Sequence, residues 1–214
     1  VLAAMKKVLA TNEQGETLMG LLVGLSIGLV VLAGGSALLA NQLRSHRMAL
    51  QDTYLHHDLR SALDWMAREL RKTQYSASAW ETRSPTACED TFCDGPEDFS
   101  IDGDEIHFSH DRNHNGEQDL NECMGFRLSN KALMAKRSCS ASGDWQAITD
   151  SGNLHIADLR WQLRCEVHQG WLRRSVQMAL RAQWPSEASR QVSLTHTVHL
   201  SNDLPASEQA RICP

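Results

Sequence analysis

From Thr17 to Leu43 the chain has no charged residue, and from Asn41 to Tyr75 it has neither glycine nor proline. Cysteine is absent until Cys88. There is no excess of basic residues: the formal charge is −5 and the pI is near 6.0. Each absence excludes something. Without a basic surface, a nucleic-acid binder driven by phosphate attraction is not expected. Without a Cys-x2-Cys pair, zinc is a poor reading of the six cysteines. No glycine-rich phosphate loop is present, and no catalytic nucleophile is assigned. Carboxylate pairs are plentiful but have no visible cleft context, so the chain is expected not to be an enzyme. Residues Trp145, Trp161, Trp171 and Trp184 read as core or rim rather than as a binding platform.

The uncharged run is long enough to matter. A bilayer core needs about 20 mostly apolar residues in a helix, and Leu18–Ala40 supplies that. Glycines weaken a helix in water. In lipid a helix is the one single-segment way to satisfy every backbone group, so glycine is better tolerated there. Gly20, Gly24 and Gly28 fall four apart on one face, which lets another helix approach closely. After Ala40 the helix is expected to continue through residues 41–75. Leu55, Leu59, Leu63, Met66 and Leu70 form an apolar stripe at helical spacing, with Asp64 and Arg68, and Glu69 and Lys72, as surface pairs.

Beyond the helix, residues 76–214 read as a β-rich domain. Ser76–Pro96 is rich in Ser, Thr, Pro, Gly and Asp and reads as a loop holding Cys88 and Cys93. Asp102-Gly103 and Asn130-Lys131 sit between apolar-alternating runs, as hairpin turns do. Period-two alternation recurs at Leu159–Cys165, Val176–Trp184 and Val192–Leu200, the pattern of antiparallel strands with one packed side. The fold class is therefore α+β: a long N-terminal helix, membrane half plus amphipathic half, packed on an antiparallel sheet. All six cysteines, Cys88, Cys93, Cys123, Cys139, Cys165 and Cys213, follow the apolar run, which suggests an oxidising compartment and three disulfides. Six cysteines allow 15 pairings. The sequence does not choose among them; the pairing expected is Cys88–Cys93, Cys123–Cys139 and Cys165–Cys213.

One stretch carries a metal-ligand spacing. Asp111 to Glu122, reading DRNHNGEQDLNE, fits D-x-[DN]-x-[DN]-G-x5-E. Oxygen ligands from Asp111, Asn113, Asn115, Asp119 and Glu122, with the Glu117 carbonyl and Gly116 for the turn, suit Ca²⁺. Its flanks read as strands, not as the helices of an EF-hand, and a solvated Asp/Asn turn is the plain alternative. His56, His57, His107, His110 and His114 read as surface or half-buried residues rather than as a metal site.

The order of the first residues adds a resemblance. Lys6 and Lys7 precede a polar run ending in Gly15, and the apolar block follows just after Glu16 and Thr17. That order, too long and wrongly spaced for a secretory signal peptide, resembles a type IV prepilin leader. The resemblance implies cleavage by prepilin peptidase between Gly15 and Glu16, with residues 1–15 as leader and 16–40 as a retained transmembrane and assembly helix. Thr17, Leu18, Leu21, Leu22 and Val23 match the family's mature start. Two positions depart from it. The first mature residue would be Glu16 where most pilins have Phe, and Gly20 stands where most have Glu. That Glu pairs with a neighbour's N-terminal amine in the family, and Gly20 forgoes the pairing. Asp58–Tyr75 further resembles the corresponding segment of PilW/PulJ-type minor pilins.

The resemblance implies a minor pilin acting in fibre initiation or at a tip, with other pilins or pseudopilins as partners through the helix. It also implies N-methylation and a single pass through the inner membrane with a periplasmic C-terminal domain, later part of a surface fibre. A minor pseudopilin of a type II secretion system shares these features. A membrane-tethered periplasmic receptor or enzyme remains the reading from a different class.

Overall fold

A computed structural model describes residues 17–213, apart from 94, 141–144 and 186, and gives 187 and 188 by their backbone alone. The expected leader, 1–15, and its junction with Glu16 lie outside the described residues. The contacts divide the chain after Asp52 into two compact units. Helix α1 (Leu18–Leu70) runs through both.

In the first unit α1 is apolar and bare. Thr17 caps it: its carbonyl and hydroxyl both accept from the Gly20 N–H, at 2.7 and 3.4 Å. Every residue from Leu18 to Gln51 is exposed, Leu32 at 70% and Val30 at 72%. Among the described residues of this unit none is buried.

The second unit begins at Thr53. The last turns of α1 belong to its core, because Leu55, Leu59, Leu63, Met66 and Leu70 are all buried there. Burying side chains of this size contributes about 1.5–3 kcal/mol each, enough to tie the helix to the domain. The helix stops at Leu70, a few residues before the expected end. Arg71 still donates to Ala67 O, but Lys72 and Thr73 close tighter turns onto Glu69 and Leu70. Gln74 then takes a left-handed φ of 56° and gives its N–H to Ser109 O at 2.7 Å. A tertiary bond thus replaces the next helical one.

The expected Ser76–Pro96 loop holds small elements: helix α2 (Ala79–Thr82) and a hairpin of β1 (Arg83–Ser84) and β2 (Ala87–Cys88). A five-stranded antiparallel sheet follows, in the order β3 (Phe99–Asp102), β4 (Glu105–Ser109), β5 (Cys123–Ser129), β6 (Ala132–Lys136) and β7 (Gln146–Ala147). A separate four-stranded sheet is built on β9 (Trp171–Trp184), with β8 (His155–His168) on one side and β10 (Glu187–His199) and β11 (Leu204–Pro205) as its other partners. A short helix, α3 (Gln209–Ile212), ends the described chain. The antiparallel strands and long helix give the α+β architecture of the pilin-like expectation, with the strands in two larger sheets.

The turns obey backbone rules, with one shift. Asp102 pairs with Glu105, so the loop is Gly103-Asp104, one residue later than expected. Only Gly103 has positive φ, as a II′ turn requires. Asn130 and Lys131 both have positive φ, the I′ form. The inward faces meet in one core: Ile106, Phe108, Phe126 and Leu133 from the first sheet, and Leu159, Val176, Met178 and Leu180 from the second. Disulfides join Cys88 to Cys93, Cys123 to Cys139 and Cys165 to Cys213. The last closes the longest loop and ties α3 to β8.

Candidate functional sites in the apolar helix and the acidic loop

The apolar half of α1 is chemically quiet. Its hydroxyls are spent inside the helix: Ser26 Oγ donates to Leu22 O at 2.7 Å and Ser36 Oγ to Ala33 O at 2.9 Å. That arrangement lowers the cost of placing them in an apolar medium. A Cβ added at Gly24, Gly28, Gly34 or Gly35 would meet nothing within 4 Å. The helix itself therefore makes no use of these glycines. Gly20, Gly24 and Gly28 line a shallow groove with Leu21, Leu25, Leu29 and Leu32. The string Gly24-Leu25-Ser26-Ile27-Gly28 spells G-x-S-x-G, the pattern of a hydrolase nucleophile elbow. That elbow needs a strand-to-helix turn, whereas Ser26 is in mid-helix with its hydroxyl occupied. The string is a coincidence of a Gly/Ser-containing apolar run.

The acidic loop lies between β4 and β5. Asp111 and Glu122, its first and last ligand positions, are 1% and 0% exposed. Asp111 Oδ2 accepts the Ala77 and Gly116 N–H groups at 2.9 and 3.0 Å, and Oδ1 accepts that of Asn115 at 3.1 Å. Glu122 Oε1 accepts from Arg112 and Asn113 N–H at 2.6 and 3.1 Å, and Oε2 from Asp119 N–H at 3.0 Å. Asn113 and Asn115 turn their amide NH₂ groups to Asp119 Oδ2 at 2.6 and 3.3 Å. Gly116 has φ 77° at the turn position, and Glu117 N–H caps Asn115 Oδ1 at 2.9 Å. The loop thus brings Asn113, Asn115 and Asp119 together. It holds Asp111 and Glu122 from beneath, each bonded to backbone N–H groups. The ligand oxygens of Asp111, Asp119 and Glu122 do not all lie within 4.8 Å of one another. Neither buried carboxylate has an ion-pair partner among the described residues. Buried charges are ordinarily paired or bound to metal.

The loop also touches much of the domain. Asp111 N–H donates to Tyr75 O at 2.8 Å, Tyr75 Oη meets His114 Nδ1 at 3.1 Å, and Gln118 Nε2 donates to Asp98 Oδ1 at 2.7 Å. Cys139 N–H reaches Leu120 O at 2.8 Å beside the Cys123–Cys139 bridge. His110, next to Asp111, is 6% exposed with Nδ1 unpartnered. Burial first, and then the Lys72 ammonium, push its pKa below the ordinary histidine value.

Sequence reasoning missed a second polar centre. Arg83 and Asp90 form a buried pair, Nε to Oδ2 at 2.5 Å and Nη2 to Oδ1 at 3.0 Å. Asp90 lies near Cys88 and Cys93, but those sulfurs are in a disulfide and the carboxylate already has its guanidinium. The trio is an ion pair beside a bridge, not a metal site. Arg174 is buried as well, bonded to Gln74 Oε1 and, at 2.8 Å, to Asn202 O. Burial, and then the nearby Arg83, push it down to about 9, so it stays a cation at neutral pH. The sequence showed these charges without their partners: Asp90 from the loop after β2 for Arg83, and Gln74 from the turn after α1 with Asn202 from the loop after β10 for Arg174. Arg173, its neighbour on β9, faces solvent, and extending the Val176–Trp184 alternation back one step puts Arg174 on the packed face, a signal that was present in the sequence.

Residues 48–200 match the family model described as prepilin peptidase-dependent protein B. The match covers most of the chain and leaves out the apolar run, so it is independent of the residues that carry the leader resemblance. No curated protein and no solved structure matches the chain.

Proposed function

The chain belongs to the prepilin peptidase-dependent protein B family, and from that premise we propose that it is a minor pilin acting in type IV pilus assembly. The family is pilin-like, and its dependence on prepilin peptidase makes that enzyme a partner. What carries the assembly reading is the division of α1: an uncharged, wholly exposed apolar half, and a second half buried in a disulfide-tied β-domain. An anchor needs only the first property. A subunit that leaves the membrane needs its apolar helix free to pack on other helices, and the Gly20–Gly24–Gly28 face offers the close approach.

In this reading the peptidase cuts between Gly15 and Glu16, the new amine is methylated, and the β-domain stands in the periplasm before entering a surface fibre. Gly20 supplies no carboxylate for a neighbour's N-terminal amine, which suits a subunit at or near the tip. Low copy number follows. Deleting the gene should abolish or sharply reduce surface fibres, and the protein should be a trace component of sheared fibres. Intact fibres with lost protein secretion would move the assignment to a pseudopilin. Abundance equal to the main subunit would contradict the tip placement.

The loop Asp111–Glu122 is assigned to Ca²⁺. Two buried, unpaired carboxylates at the ligand positions support this, as does the twelve-residue spacing. Asp111, Asn113, Asn115, Asp119 and Glu122 would supply side-chain oxygens and Glu117 a carbonyl. Loading requires the Asn113 and Asn115 amides to turn their oxygens inward. The ion would brace a loop that already bonds to the exit of α1.

A further inference from the structure

The backbone at the edge of a sheet is a template for another strand unless it is blunted by shortness, charge, proline or a bulge. Most edges here are blunted. β3 and β7, at the ends of the five-stranded sheet, have four and two residues. β8 carries Asp158, Arg160, Arg164 and Glu166 and a register break between Ile156 and Asp158. β11 has two residues, one of them Pro205.

β10 is different. Its register breaks only between Glu187 and Gln191, and from Val192 to His199 it contains no Asp, Glu, Lys, Arg, Pro or Gly. Among the described residues its one ladder partner is β9. The direction of its free groups follows from the register. Leu200 N–H donates to Arg174 O at 3.0 Å, continuing the His199–Ser175 pairing. Hydrogen-bonded pairs alternate along an antiparallel ladder. Even-numbered residues therefore bond β9, while Ser193, Thr195, Thr197 and His199 turn their N–H and C=O groups outward. Those four side chains are exposed, whereas Val192 and Leu194 lie half-buried against the core.

We propose that the outer edge of β10 accepts an extended, uncharged β-strand from a neighbouring pilin-like subunit. The added strand would bond to the outward backbone of Ser193, Thr195, Thr197 and His199. Its inward side chains, apolar like Val192 and Leu194, would finish the burial of those two residues. An edge of bare peptide groups selects an extended chain, and main-chain bonding supplies the affinity. The lack of charge on this edge favours a neutral strand over an acidic or basic one. The inference rests on the assembly reading for the class of partner.

The test uses the full chain in its native membrane, with a photo-crosslinking residue in place of Thr197 and, as control, of Gln162 on β8. Expected is an adduct from position 197, and not from 162, with a second prepilin peptidase-processed subunit. Thr195→Pro removes an N–H that faces away from β9, so it should cut the adduct at least tenfold while leaving the melting temperature unchanged. Thr195→Val should retain the adduct. If the proline variant fails to fold, Thr195→Lys places a charge on the edge and should reduce the adduct in the same way. The protein found among assembled subunits with no adduct at 197, with an adduct unaffected by Thr195→Pro and Thr195→Lys, or with adducts only to lipid or to proteins of another class, overturns the inference alone. Absence of the protein from the assembled fraction overturns the assembly reading and this inference with it.

Discussion

From Leu18 to Ala40 helix α1 holds leucine, valine and isoleucine out on every side; from Leu55 to Leu70 the same helix buries leucine and methionine along one stripe and carries Asp58, Arg60, Asp64 and Arg68 elsewhere. The second half is stabilised by the core it joins. The first half has no core, and its glycines make it a weak helix in water. What stabilises it must be an apolar medium or other helices. The contrast teaches that one regular element can belong to two environments, and that side-chain chemistry, not backbone geometry, divides it.

The sharpest way to break that contrast is to truncate one side chain in each half. Leu59→Ala or Met66→Ala should destabilise the domain by about 2–5 kcal/mol, the cost of a cavity in a packed core. Leu29→Ala should leave domain stability within about 0.5 kcal/mol. Denaturant unfolding of the full chain in detergent, followed by tryptophan fluorescence, reads both. Equal effects would mean that the two halves are not energetically distinct.

Calcium comes next in size and sharpens the contrast from the domain side. If the ion braces the loop bonded to the exit of α1, calcium a hundredfold above Kd should add about 2.7 kcal/mol. Glu122→Ala should abolish that gain while leaving processing intact. Thermal melts with calcium, with chelator and with magnesium give the answer. Identical melts in all three return the loop to a polar turn held by its own N–H bonds.

The smallest effect is the pH response of His110. Its pKa lies below the ordinary value of 6.5 in the fold, so the unfolded chain takes up a proton more readily than the folded one. Stability at this site is therefore fully present above about 6.5 and is lost as pH falls below it. His110→Gln should flatten the decline in melting temperature between about pH 7.5 and 5.5. A decline as steep as that of the unaltered chain would assign the acid sensitivity to other groups.

Much of the domain was legible because its signals are local. The stripe Leu55, Leu59, Leu63, Met66 and Leu70 needs only a period, and all five are buried. Asn130 readily takes positive φ between two alternating runs, and with Lys131 it forms the turn. Less legible were features fixed by distant partners. α1 ends where Gln74 finds Ser109, thirty-five positions away. Arg174 is buried because Gln74 and Asn202 meet it. The division of the strands into two sheets depends on which edges pair, and alternation within a strand does not encode that. In the acidic loop the spacing named the residues, but the buried N–H cradle around Asp111 and Glu122 is a tertiary fact.

The account rests on the apolar half of α1 being a retained, processed helix rather than a discarded signal or a plain anchor. Intact-mass analysis of the protein from its native membrane tests this most directly. The prediction is a mature chain beginning at Glu16 and, once its three disulfides are reduced, one methyl group heavier than its sequence, with Gly15→Leu leaving the precursor uncut. A mature chain beginning near Asn41, or an uncut chain in cells with active prepilin peptidase, would contradict it.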